Sequence, residues 1–108
     1  MNRTTVPFPE EWIVVHADPE MEDLIPWYLA KRQEDIEKIR SALGDGDYER
    51  VRALSHNMKG SGSGYGFEDI THIGAAIEKM ARLGDGEGIG RKTEELASFL
   101  KRVRVIYE

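Results

Sequence analysis

The apolar side chains of this chain recur three and four residues apart, and the string Leu-Gly-Asp-Gly breaks that rhythm twice, at 43–46 and 83–86. Such spacing places apolar groups along one stripe of an α-helix. Met21, Leu24, Ile25, Tyr28, Leu29, Ile36, Ile39 and Leu43 make the first stripe. Asp18-Pro19-Glu20 opens it with an N-cap carboxylate, a proline where no helical N–H is needed, and an acid in the first turn. Pro26 either kinks this helix or separates a short lead-in from a long helix ending near Leu43. A second stripe holds Tyr48, Val51, Leu54 and Met58, and a third holds Ile70, Ile73, Ile77 and Met80. The fourth runs through Ile89, Leu96, Phe99, Leu100, Val103 and Ile106 or Tyr107. Residues flanking the two Leu-Gly-Asp-Gly strings do not align, so the strings read as recurrent turn chemistry rather than a duplication. Four amphipathic helices on short turns predict an all-α fold, an antiparallel up-down-up-down four-helix bundle.

Upstream of the bundle, Pro7 and Pro9 oppose regular structure, and the β-favouring Trp12–Val15 follows with no strand partner expected elsewhere. Residues 1–17 therefore read as an extended arm lying on the bundle, or a short lead-in helix, and residues 18–108 as the bundle itself. A chain of 108 residues makes one domain. It has no cysteine, which excludes a disulfide scaffold and thiolate chemistry and fits a reducing, cytoplasmic setting. Fifteen basic and twenty acidic side chains give a net charge of −5, which argues against nucleic acid as a partner. The longest apolar run, Trp12-Ile13-Val14-Val15, falls far short of a membrane span. Lys101-Arg102-Val103-Arg104 complements the dipole of the last helix, and the mixed charges from Lys31 to Arg40 read as a solvated face.

All eleven glycines lie between Gly44 and Gly90, and four of them, Gly60, Gly62, Gly64 and Gly66, crowd behind one histidine, His56. On a helix with Tyr48, Val51, Leu54 and Met58 turned inward, His56 points roughly 145° away from the buried direction. Its helical neighbours are Arg52, Lys59, Gly60 and Ser63. The imidazole thus has cations beside it and almost no side-chain bulk on the following turn. A ring whose ordinary pKa leaves it largely neutral at pH 7 is a nucleophile, and Lys59 can balance the charge of a phosphoryl group on it. An isolated His-x-x-Lys is also compatible with an ordinary surface pair. The glycines weigh against that, because two or three in a helix give up about 2–3 kcal/mol of propensity, and a helix end needs one. A phosphate-cradling loop fails on spacing: Tyr65 and Phe67 interrupt the frame, and Lys59 precedes the glycines where a P-loop lysine follows.

His56-x-x-Lys59-Gly60-Ser61, with Gly66-Phe67 ten and eleven residues after the histidine, resembles the histidine-containing phosphotransfer (HPt) domains of two-component phosphorelays. Leu24-Ile25-Pro26, the Gly-Asp turn before the second helix and the Ile70–Met80 helix look like the same family, so the resemblance spans about residues 12 to 104. Met58 stands where a leucine is common. The resemblance implies a phosphorelay intermediate in which His56 is the phosphoacceptor, taking the group from a receiver-domain aspartyl phosphate and passing it to another receiver's aspartate. It makes Lys59 the nearby cation and Gly60 the point of approach. Gly66 and Phe67 would shape the start of the third helix, and Arg52, Ser63, Gly64 and Arg82 join Gly60 as the docking surface. It implies response-regulator receivers as partners, with a hybrid histidine kinase as a further one, a monomeric chain, and no cofactor or metal of its own. In the family the third helix often supplies polar residues beside the histidine, which by spacing would be Glu78 and Arg82. A carboxylate there would repel a phosphoryl group, so Arg82 is the better candidate, a solvated surface charge being its other reading.

Two other readings use the same histidine. A histidine-kinase dimerisation hairpin also presents one on a four-helix surface, but its histidine is normally followed by an acid and then a proline, and here Asn57 and Lys59-Gly60 follow. A receiver-binding helical adaptor that takes no phosphate would dispense with the histidine. Asp69 and His72 form one Asp-x-x-His pair on the outward side of the third helix, whereas a di-iron bundle needs two such motifs facing the core.

Overall fold

Isoleucine supplies much of the core. In the computed structural model, which describes residues 11–108, Ile25, Ile36, Ile39, Ile70, Ile77 and Ile89 are fully buried. Each such side chain contributes roughly 1.5–3 kcal/mol through the apolar surface it removes from water. Val51, Met58, Leu96 and the stacked rings of Tyr28 and Phe67 complete the cluster. The elements, in chain order, are β1 (Ile13–Ala17), α1 (Leu24–Gly44), α2 (Tyr48–Gly62), α3 (Glu68–Leu83), α4 (Gly86–Arg102) and β2 (Val103–Tyr107), with 3₁₀ turns at Pro19–Met21 and Ser63–Tyr65.

The local signals place most boundaries. Asp18 caps the first 3₁₀ turn by accepting a hydrogen bond from the Glu20 N–H at 2.8 Å. Two turn residues, Glu22 and Asp23, then separate this lead-in from α1; Pro26 sits in the first turn of α1, where its missing N–H costs nothing. Asp47 caps α2 through the Arg50 N–H at 3.1 Å, and Asp85 caps α4 through the Gly88 N–H at 2.9 Å. Gly46 and Gly84 take φ of +70° and +69°, the left-handed backbone that their turns require. Both Gly-Asp strings are therefore helix-to-helix turns.

Two expectations are corrected. The fold is mostly helical but not all-α, and the segment that begins at Trp12 does not lack a strand partner from Ile13 onward. β1 pairs in parallel with β2, in a register running from Ile13 opposite Val103 to Ala17 opposite Tyr107. The fourth helix accordingly stops at Arg102, and Val103, Ile106 and Tyr107 belong to a strand rather than to its last turns. The cause lies in Val103-Arg104-Val105-Ile106-Tyr107, a β-branched and aromatic run that suits extended backbone once a partner lies alongside. Ile13, Val15, Ala17, Val105 and Tyr107 pack against the helical core, and the Trp12 ring carries the Arg104 guanidinium 4.4 Å from its centre. Pro7 and Pro9 lie outside the described residues. No helix among the described residues is long and apolar enough to cross a membrane.

The tightest helix contact joins α2 to α3. A Cβ on Gly74 would stand 2.7 Å from the backbone nitrogen of Lys59 and 3.0 Å from the carbonyl oxygen of Ser55. A Cβ on Gly62 would stand 2.6 Å from the backbone nitrogen of Thr71. Neither glycine can be enlarged without driving the two helices apart. In urea unfolding, Gly74→Ala is expected to cost about 1–3 kcal/mol. Gly60→Ala, whose Cβ would meet nothing within 4 Å, is expected to gain up to about 1 kcal/mol of helix propensity.

Candidate functional site

His56 lies near the middle of α2 with 59% of its side chain exposed, on the side away from Val51, Ser55 and Met58. The inward direction differs slightly from the expected one: Ser55 is fully buried, its hydroxyl donating to the Val51 carbonyl at 2.8 Å, while Leu54 is only partly buried. Because α3 lies so close at Gly74, the residue one turn further along it, Glu78, is pressed against the ring. His56 Nδ1 is 2.9 Å from Glu78 Oε2, and Lys59 Nζ is 2.8 Å from Glu78 Oε1. Arg82 Nη1 stands 3.9 Å from Oε2. The Glu78 side chain itself is 5% exposed.

The Lys59 ammonium beside it lowers the Glu78 carboxyl to about 2, against the opposing effect of burial, and His56 acts in the same direction. An ionised carboxylate only accepts hydrogen bonds. The bond between it and the ring is therefore Nδ1–H donating to Oε2, the arrangement that in a neutral imidazole leaves the lone pair on Nε2. The ring is thereby fixed in one tautomer, with its nucleophilic nitrogen on the edge away from Glu78.

Glu78, doubtful beside this histidine on charge grounds, does lie there. Repulsion of a phosphoryl group is only part of its environment; three basic groups surround the carboxylate before any phosphoryl group arrives. Arg82, the favoured residue of that pair, is exposed and reaches the cluster only at its edge.

The remaining expected residues fall into separate groups. Gly60 and Gly64 are open: a Cβ on either would meet nothing within 4 Å. Gly62 instead serves the contact with α3, and Gly66, with φ of +92°, turns the chain into it. Phe67 is buried at the start of α3. Ser63 is taken up locally, its N–H donating to Thr71 Oγ1 at 2.8 Å and its hydroxyl to Glu68 Oε1 at 3.1 Å. Arg52 pairs with Glu49 along α2. His72 is exposed on α3.

A supporting network was missed at the sequence level. Ser61 Oγ lies 2.8 Å from Tyr28 Oη and accepts from Arg32 Nη1 at 3.3 Å, while Arg32 Nε donates to Asp35 Oδ2 at 2.7 Å. Tyr28 stacks on Tyr65 at 4.1 Å, and Thr71 Oγ1 donates to the Lys59 carbonyl at 3.1 Å. Together these hold the C-terminal turn of α2, which carries Lys59, against α1 and α3.

A family model described as the Hpt domain matches residues 23–105. The chain belongs to the Hpt domain family. Hpt domains serve phosphotransfer in two-component systems and interact with receiver domains and histidine kinases. Searches among curated proteins and among solved structures returned no match. The match covers all four helices of this Hpt domain but leaves β1 outside it and enters β2 only in part.

The lowered Glu78 carboxyl gives the acid behaviour of the site a definite sign. A carboxylate that ionises more readily in the folded chain stabilises it above its ordinary value of 4.5, and that stability is lost as pH falls towards about 2. Acid unfolding of Glu78→Gln is expected to lose the part of the pH dependence that falls between these two values. Superimposable acid limbs for the two proteins would contradict the ion pairing described here.

Proposed function

We propose that this Hpt domain is a phosphorelay intermediate with His56 as its phosphoacceptor, taking the group from an aspartyl phosphate of a receiver domain and delivering it to the aspartate of another. The observation that carries the reading is the 2.9 Å contact of His56 Nδ1 with the Glu78 carboxylate, which turns Nε2 of an exposed ring away from that partner. In the forward step Nε2 attacks phosphorus, the P–O bond to the aspartyl carboxylate breaks, and a P–N bond forms. The imidazole gains positive charge and Nδ1–H keeps its carboxylate acceptor. The return step reverses each change.

Lys59 is assigned the charge of the phosphoryl group, which it reaches from the turn after the histidine. Gly60 and Gly64 leave room for a receiver's surface, Arg52 and Arg82 flank it with positive charge, and Ser63 borders it at the end of α2. A hybrid histidine kinase is the natural source of such a receiver. The antiparallel course of the helices, a monomeric state and a cytoplasmic place belong to the same proposal. An exposed acceptor within one four-helix chain favours this reading over a dimerisation hairpin, which needs a second chain to complete its bundle.

A phosphorylated receiver mixed with the chain is expected to label it with an acid-labile, alkali-stable phosphate, and His56→Gln is expected to take none. Label retained by that variant would remove His56 from the mechanism. Gly60→Leu is expected to keep its helix content, since a Cβ there meets nothing within 4 Å. Its transfer from the receiver should fall at least tenfold, in line with the loss from about 1.4 kcal/mol of docking energy.

A further inference from the structure

Glu78 does more than orient a ring, because its second oxygen holds Lys59. The ammonium sits 2.8 Å from Oε1 while Nδ1 of His56 occupies Oε2. An ion pair this close to a buried carboxylate offsets much of the lysine's charge. A phosphoryl group on Nε2 therefore has to draw Lys59 away from an existing partner. The Glu78 charge also stands on the far edge of the same ring and repels the dianion. Arg82, further away and exposed, offsets this only weakly.

We propose that Glu78 is a positioning residue that makes phosphorylated His56 a readily discharged form: it keeps Lys59 while the histidine is free and opposes the phosphoryl group once attached. The domain thereby passes the group on more readily than it stores it. This rests on His56 being the phosphoacceptor. Replacement by glutamine separates the two functions of the carboxylate, since an amide oxygen still accepts from Nδ1–H but carries no charge.

The test uses the full chain and phosphoramidate, a small donor that requires no receiver. Nε2 attacks phosphorus, the P–N bond of the donor breaks, and its protonated nitrogen leaves as ammonia. After the donor is removed, water attacks phosphorus, the bond to Nε2 breaks, and inorganic phosphate is released. Phosphorus NMR follows the labelled fraction and its half-life, and nitrogen NMR follows the ring tautomer. Glu78→Gln is expected to keep Nδ1–H and to lengthen the phosphohistidine half-life by about three- to tenfold, the scale of one screened charge near a dianion. An unchanged or shorter half-life overturns the proposal.

A second measurement needs only the wild-type chain. A through-space dipolar coupling between Lys59 Nζ and the Glu78 carboxyl carbon is expected before phosphorylation and is expected to vanish after it. Persistence of that coupling in the phosphorylated chain also overturns the proposal. A wild-type chain that takes no label at all overturns the phosphoacceptor reading, a different result from a label whose lifetime ignores Glu78.

Discussion

The contact between the backbones of α2 and α3 is the constraint on which the site depends. Gly74 lies against Lys59 and Ser55 with no room for a methyl group, and Gly62 lies as close to Thr71. One helical turn beyond Gly74 is Glu78, whose carboxylate reaches His56 and Lys59 because the helices stand no further apart. A wider spacing would leave the same side chains on the same helices without their bonds. The absence of one Cβ thus decides the tautomer of a histidine on the neighbouring helix.

The cluster also shows how a buried charge is tolerated. Taking a carboxylate out of water is expensive unless charged and hydrogen-bonded partners meet it. Glu78 has Lys59 and His56 within hydrogen-bonding distance and Arg82 at its margin. Its partners are themselves partly exposed, so they remain accessible to a group arriving from outside. An internal anchor with an accessible outer layer suits a surface that must exchange a phosphoryl group and then return to its starting arrangement.

The strand pair solves a different problem. β1 and β2 are separated by the entire helical region in sequence, yet five residues of each align in register. Their inward side chains cover part of the helical core, while Trp12 and Arg104 pack together beside them. The β-favouring character of Trp12–Val15 was legible in the sequence. The partner was hidden because the residues from 103 onward also continue the three-and-four spacing of the last helix. Periodicity alone does not separate a helix end from a short strand when both bury the same apolar residues.

The sequence by itself determined the four helices, the Gly-Asp turns with their capping aspartates, and the exposed histidine followed by a cluster of glycines. These are local matters, settled by side-chain spacing, by cap chemistry and by where left-handed backbone is needed. The sequence could not give Glu78 its place, since a carboxylate near a phosphate-carrying ring looks unfavourable until its cations are located. Only the tertiary structure decided that Lys59 and His56 share that carboxylate, that Gly62 packs while Gly60 stays open, and that the last helix gives way to a strand. Each depends on which backbone lies opposite, and that distance is fixed by packing between helices far apart in the chain.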